Sequence, residues 1–184
     1  MKILILSGTP KREGLCHLCV EAAETGAAHS GADWETVRLC DYPLARCAVC
    51  GDGWGTCREE HVCCHGGDGF SSLQRKVAEA GAYILITPVY WGEMSEIMKA
   101  FTDRLRRCEA TKGEYGAMAG KPALLVASPG GSGNGMVSCL EQMERLCRHL
   151  GASVFDMVGV TRRSRSYKLP VVTEAAAAMI RAAG

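Results

Sequence analysis

The chain has 184 residues, of which 47% are hydrophobic and 22% are charged, and its formal net charge at pH 7 is +1. These values are typical of one globular domain, so we treat residues 1–184 as a single domain. The near-neutral charge gives no reason to expect a nucleic-acid partner or an acidic membrane surface, and the apolar runs are far too short for a membrane helix. The apolar N-terminus is also too short for a signal peptide, so we expect a cytoplasmic protein.

Strands and helices alternate along the chain, a pattern typical of α/β proteins with a parallel sheet. The predicted strands are Lys2–Leu6, Trp34–Leu39, Ala82–Ile86, Ala123–Ala127 and Ser153–Val158, and the predicted helices are Leu15–His29, Phe70–Ala80, Ser95–Cys108, Met136–Leu150 and Pro170–Ala183. The strands are continuous apolar runs, as expected when helices cover both faces of a sheet. We therefore predict a flavodoxin-like, doubly wound, five-stranded parallel sheet with order 2-1-3-4-5 in a three-layer α/β/α arrangement.

The loop between the first strand and the first helix, residues 7–14, has the properties of a phosphate site. The start of a helix offers free backbone N–H groups and the positive end of the helix dipole. Ser7 and Thr9 add hydroxyl donors, and Lys11 adds positive charge. The loop lacks the glycine patterns of nucleoside triphosphatases and of dinucleotide folds, which favours a monophosphate such as FMN. An ordinary turn between strand and helix is the alternative.

Two more loops leave the predicted sheet at the same edge. After the third strand, Tyr90 and Trp91 can form flat apolar walls for a flavin ring, and Gly92 permits close backbone approach. After the fourth strand, the glycine-rich residues 128–135 can reach the same ring. Because ligands bind outside the carboxyl ends of parallel strands, the loops together predict one composite flavin pocket. For the second loop, the alternative is a surface turn whose aromatic side chains cover the core.

The segments SGTPKREG, TPVYWGEMSEIMKAFTDR and SPGGSGNG resemble the flavodoxin-like NAD(P)H-dependent FMN reductase family, and the resemblance covers essentially the whole chain. It implies bound FMN, NAD(P)H as electron donor, and a homodimer or homotetramer. The cofactor-binding residues that it implies are Ser7, Thr9, Lys11, Leu15, Cys16, His17, Pro88, Val89, Tyr90, Trp91, Gly92, Ser128, Gly130 and Gly131. Family members often have Asn-Thr or Asn-Ser where this chain has Leu15-Cys16, so we expect Cys16 or His17 to compensate for a lost hydroxyl donor.

The chain has eleven cysteines, and six of them fall in an insertion loop at about residues 40–69. Without a secretory signal, metal binding or redox chemistry is a better explanation than a disulfide framework. A C-x2-C pair commonly begins a zinc or iron–sulfur site. The predicted metal ligands are Cys47, Cys50, Cys57 and Cys63, with Cys64 as an alternative to Cys63.

The insertion loop looks like the compact cysteine motif of iron–sulfur flavoproteins, but Gly53 stands near the place of their third cysteine. Three possibilities therefore remain open: a 4Fe-4S cluster, a zinc ion bound with help from His61 and His65, and unmetallated thiols that order the loop. The arginines that end the third helix, Arg104, Arg106 and Arg107, are expected to form a solvated helix terminus.

These features predict an FMN-dependent oxidoreductase that takes hydride from NAD(P)H and passes electrons to a quinone, a metal ion, a free flavin or a protein. The cofactor carries the hydride chemistry, so no catalytic protein side chain is required in the first half-reaction. Two alternatives are a non-enzymatic flavin or iron–sulfur electron carrier or redox sensor, and a zinc-stabilised binding module that lacks flavin.

Overall fold

The computed structural model describes residues 1–183. Its central sheet has five long parallel strands and one short antiparallel strand. The strands are β1 (Lys2–Ser7), β2 (Asp33–Arg38), β3 (Ala82–Tyr90), β4 (Glu93–Met94), β5 (Pro122–Pro129) and β6 (Ser153–Gly159). The parallel strands lie in the order β2-β1-β3-β5-β6, and β4 pairs with β3. The predicted order 2-1-3-4-5 and the flavodoxin-like fold are therefore confirmed.

Within residues 1–183, five helices surround this sheet. They are α1 (Leu15–His29), α2 (Phe70–Glu79), α3 (Glu96–Glu109), α4 (Met136–His149) and α5 (Arg165–Ala183), with short 3-10 turns at Leu39–Asp41 and Ala110–Tyr115. Among the helices of residues 1–183, none is long and apolar enough to cross a membrane.

The apolar residues of β1 supply both halves of the core, because successive side chains of a strand point to opposite faces. Ile3 and Ile5 pack with residues of α1 and α5 on one face of the sheet. Leu4 and Leu6 pack with residues of α2, α3 and α4 on the other face. This double burial explains why the central strands are continuous apolar runs without alternation.

The third predicted strand ends too early, because β3 continues from Ile86 to Tyr90. Its register with β5 extends to the pair Val89 and Pro129, and Val89 also pairs with Met94 of β4. The predicted loop thus begins as a strand and then turns back as a hairpin. β-Branched and aromatic residues favour a strand here despite the proline among them.

The last helix begins at Arg165 rather than at the predicted Pro170. Two hydrogen bonds order the turn before it, from Thr161 N to Ser164 Oγ at 2.9 Å and from Ser164 N to Thr161 Oγ1 at 3.1 Å. The N–H of Lys168 then donates to the Ser164 carbonyl at 2.9 Å. Pro170 lies inside α5, where it removes one N–H donor and its ring crowds the carbonyl of the residue four positions earlier.

Candidate functional site

A buried hydrogen-bond network joins the first loop to the end of β3 and the start of α3. Gly8 donates its N–H to the Ile86 carbonyl at 2.8 Å, and its carbonyl accepts from Ser95 Oγ at 2.7 Å. The N–H of Ser95 donates to Thr87 Oγ1 at 3.0 Å, and Ser95 Oγ also accepts from the N–H of Met98. The sequence indicated Ser95 only as the start of a predicted helix, whereas the structure shows that it connects the first loop to the end of β3.

The start of α1 has the features of an anion site. The preceding Gly14 has a φ of 93°, and within the described chain no side chain caps the helix. The backbone N–H groups of residues 15–17 therefore point out of the first turn, where helices bind phosphate. Thr9 is buried beside them and its Oγ1 accepts from the N–H of Lys11 at 3.3 Å. With no acidic residue in the first turn, the positive field there is not neutralised.

Three buried polar side-chain atoms in residues 1–183 have no hydrogen-bond partner: Ser7 Oγ, His17 Nδ1 and Arg38 Nε. Buried polar atoms normally find partners, so such atoms need an explanation. Ser7 and His17 belong to the predicted phosphate-binding set, and a phosphate would supply the missing partner. The residues present therefore fit an FMN phosphate.

Arg38, at the carboxyl end of β2, was not predicted as part of this site. Its Nη2 atom donates to the Lys11 carbonyl at 2.9 Å, and Arg12 pairs with Asp41 at 2.7 Å. These contacts hold residues 7–14, the predicted phosphate loop, against β2 and the 3-10 turn that follows it. The position of Arg38 in the sequence could have indicated its role, because β2 ends beside β1 in the predicted strand order.

Two thiols in α1 connect the phosphate loop to the end of β5. Burial raises the pKa of Cys16 to about 12, and the nearby Thr9 hydroxyl partly offsets this rise. Burial likewise raises the pKa of Cys19 to about 12, with Ser128 partly offsetting it. Both thiols are therefore protonated at neutral pH and act as small packing groups rather than as nucleophiles.

A two-residue turn, Trp91-Gly92, forms the tip of the hairpin between β3 and β4. Trp91 has a φ of 54° and Gly92 a φ of 86°, which matches the positive values that type I′ turns require at both positions. The Trp91 side chain is fully exposed and does not form a packed wall. A bulky residue in the left-handed region is unusual and is associated with functional sites.

Tyr90, at the end of β3, lies near Cys16 in the first turn of α1. Burial raises the pKa of its phenol, and nearby Cys16 and Glu96 add to the rise. The phenol is therefore protonated at neutral pH and lies close to the first turn of α1. This position suits a side chain that covers a ligand whose phosphate binds at that turn.

A cleft of about 840 Å³ separates the hairpin from the loop after β5, a volume typical of ligand sites. Gly92 and Gly135 touch across its floor, because a Cβ atom at Gly135 would lie 2.6 Å from the Gly92 Cα atom. Within the described chain, Gly130 and Gly131 have nothing within 4 Å of such an atom and leave open backbone toward the cleft. The predicted residues that line it are Val89, Trp91, Gly92, Gly130 and Gly131.

A second, much smaller cavity of about 20 Å³ lies beside α3 and is lined by five cysteines: Cys47, Cys50, Cys57, Cys63 and Cys64. The Sγ atoms of Cys50 and Cys64 are 3.1 Å apart, and this neighbouring thiol raises the pKa of Cys50. As the side chains stand, residues 1–183 contain no group of three or more His, Cys, Asp or Glu arranged to hold a metal ion. We refer to this feature below as the cysteine cavity.

The guanidinium of Arg104 forms one wall of the cysteine cavity and is buried rather than solvated. It pairs with both carboxylate oxygens of Asp68 and stacks 4.1 Å above the ring centre of Phe70. It also donates to the His65 carbonyl at 2.6 Å and, through Nε, to Cys63 Sγ at 3.3 Å. The expectation of a solvated arginine terminus was therefore wrong for Arg104.

Five parallel strands in this order, with three loops gathered at one end of the sheet, define a flavodoxin-like α/β protein. The chain belongs to the NADPH-dependent FMN reductase family, whose model matches residues 1–163.

The curated relatives include iron–sulfur flavoproteins and an NAD(P)H-dependent FMN reductase. An iron–sulfur flavoprotein of Methanocaldococcus jannaschii is 35% identical over 58% of this chain and 52% of its own length. An NAD(P)H-dependent FMN reductase of Schizosaccharomyces pombe is 29% identical over 81% of this chain and 66% of its own length. The chain thus spans about half to two thirds of the length of these relatives.

Among solved structures, the NAD(P)H:quinone oxidoreductase of Methanothermobacter marburgensis is similar, with a TM-score of 0.74. The likeness covers 96% of this chain and 94% of that one at 17% sequence identity, and it supports the fold.

Proposed function

We propose that this chain is an oxidoreductase in which bound FMN takes hydride from NAD(P)H and passes electrons to a small-molecule or protein acceptor. One observation carries the proposal: an uncapped helix start, with the unpartnered buried Ser7 hydroxyl beside it, lies at the strand ends from which all three loops leave. Family membership supports the same cofactor and donor.

The chain's own contribution is to bind and orient the flavin. The backbone N–H groups of residues 15–17 and the hydroxyls of Ser7 and Thr9 would hold the phosphate, and Lys11 would balance its charge. The ring would enter the cleft between the hairpin and the loop after β5, with Tyr90 beside it. FMN itself supplies the hydride chemistry, so these residues position the cofactor and exclude water from it.

We also propose that Cys47, Cys50, Cys57 and Cys63 bind an iron–sulfur cluster, or zinc in its place. Two observations favour this function: these four thiols line one cavity, and Arg107 lines it with a positive charge that would partly balance thiolates, while Arg104 donates a hydrogen bond to Cys63 Sγ. Relatives named as iron–sulfur flavoproteins point the same way. A cluster here would relay single electrons between the flavin and an acceptor.

The direct test is to purify the chain without oxygen and to quantify flavin, iron, sulfide and zinc. We expect FMN close to one per chain, together with steady oxidation of NADPH or NADH when an artificial acceptor is supplied. Bound FMN without such turnover would favour an electron carrier instead. Failure to bind added FMN would refute the proposed function.

Replacing Ser7 with alanine should weaken FMN binding about 10- to 100-fold, because a hydrogen bond to a charged group contributes about 1.5–3 kcal/mol. Ser30→Ala is the matched control, since that hydroxyl bonds the Ala27 carbonyl at the opposite end of α1. Fluorescence titration of the apoprotein with FMN gives both affinities. Equal affinities would show that Ser7 does not bind the phosphate.

Serine substitutions at the four proposed metal ligands should each lower the iron or zinc content by at least about tenfold, as loss of one ligand opens the site. Cys40→Ser is the control, because Cys40 lies in the same insertion loop and its thiol contacts Asp41 instead of the cysteine cavity. Elemental analysis gives the content. Metal retained in all four variants would exclude this ligand set.

A further inference from the structure

We propose that Cys50 and Cys64 form a reversible disulfide, which gives the cysteine cavity a second, metal-free state. Cys64 lies outside the four-cysteine ligand set proposed above, whereas Cys50 belongs to it. The proposed disulfide is inferred from the positions of the two thiols and does not depend on flavin binding. Its effect on metal content rests on the proposed metal site.

The two sulfur atoms are already close to bonding distance. They lie 3.1 Å apart, and a disulfide bond of about 2.05 Å needs an approach of about 1 Å. Both residues belong to irregular structure, so this movement breaks no helix or strand. Gly55 makes room for them, because a Cβ atom there would lie 3.1 Å from Cys50 Cβ and 3.3 Å from Cys64 Sγ.

The other thiols of the cavity have different surroundings. Cys57 is buried and packs in the core cluster, which restricts its movement. The sulfur of Cys63 accepts the Nε–H of Arg104, and Asp68 fixes that guanidinium in place. Cys64 is the exposed member of the group, so a dissolved oxidant reaches it first.

The oxidant that we propose for this reaction is hydrogen peroxide. The Cys64 sulfur attacks one peroxide oxygen and breaks the O–O bond, which yields a sulfenic acid and one water. The Cys50 sulfur then attacks the Cys64 sulfur and expels the second water. In total, two thiols lose two electrons and two protons, and one peroxide becomes two waters. A dithiol reductant then converts the disulfide back to two thiols. While the disulfide exists, Cys50 is unavailable as a metal ligand.

The test uses the full chain, reduced, desalted and treated with one equivalent of hydrogen peroxide. We expect a mass loss of two hydrogens and a peptide map that links Cys50 to Cys64. Cys64→Ser should show no such link, whereas Cys40→Ser should behave like the unsubstituted chain. A map that links other cysteines, or a mass loss that persists in Cys64→Ser, would overturn the proposal.

Zinc binding after the same treatment provides a second readout. Oxidation should lower zinc uptake by the unsubstituted chain at least tenfold, and a dithiol should restore it, while Cys64→Ser should take up zinc before and after peroxide. If Cys64→Ser cannot bind zinc even when reduced, Cys64 is a ligand and the proposal fails. FMN content is measured in the same samples, so failure of the proposed flavin function is recognised separately.

Discussion

Arg104→Gln is expected to lower the free energy of unfolding by about 3–5 kcal/mol, the usual cost of removing one partner from a buried ion pair. The Arg104 side chain is fully buried, and its loss leaves the Asp68 carboxylate uncompensated in the interior. It also removes donors from the carbonyls of Ala45 and His65 and the cation that stacks on Phe70. Both ends of the insertion loop would then lose their contacts with α3.

Urea unfolding followed by circular dichroism measures this effect. Arg106→Gln is the control, because Arg106 lies two residues further along α3 and is half-buried, so its loss should cost less than about 1 kcal/mol. Similar losses in the two variants would contradict the assignment of Arg104 as the residue that holds the loop.

The pH dependence of the stability difference between the unsubstituted chain and Arg104→Gln gives a second check. Burial alone would raise the pKa of Asp68, but the hydrogen bonds from Arg104, Ala45 and Phe70 lower it from 3.8 to about 2. A carboxyl whose pKa falls on folding stabilises the protein above its unfolded pKa, here by about 2 kcal/mol. This stabilisation is complete above about pH 5 and is lost as the pH falls through the folded value near 2. The gap between the unsubstituted chain and Arg104→Gln should therefore narrow over that range.

Arg104 also shows what local sequence signals could not supply. At the end of an amphipathic helix, three nearby arginines indicate a solvated terminus, and the partner of Arg104 lies 36 residues earlier in a segment without period. No helical or strand spacing connects the two positions. The pairing is decided by how the cysteine-rich loop folds back on α3, and that is a long-range contact.

The sheet and the start of the helix after β1 were predictable for the opposite reason. The central strands are buried on both faces, which leaves continuous apolar runs, and the bounds of α1 match the prediction. Glycine and hydroxyl residues after β1 are a local signal for a helix start of the kind proposed to bind phosphate. The hairpin at Trp91 was missed because Trp-Gly is not among the dipeptides that usually indicate a type I′ turn.

Gly135→Ala is expected to weaken FMN binding about 10- to 100-fold, which corresponds to about 1.4–2.8 kcal/mol. The new Cβ atom would lie 2.6 Å from the Gly92 Cα atom and 2.8 Å from its nitrogen, and neither backbone atom can move without moving the hairpin. Relief of this overlap separates the hairpin from the loop after β5 and widens the cleft between them. The ring then loses contact with one of its two walls.

Gly31→Ala is the control that separates this overlap from backbone strain. Gly135 has a φ of 77° and Gly31 a φ of 68°, so alanine pays a similar cost of about 1–2 kcal/mol at either position. In the described chain nothing lies within 4 Å of the Cβ position at Gly31, which follows α1 at the end opposite the phosphate loop. Gly31→Ala should therefore lose stability and keep its FMN affinity, as measured by fluorescence titration. Equal FMN affinities in the two variants would show that the contact between Gly92 and Gly135 does not shape the flavin cleft.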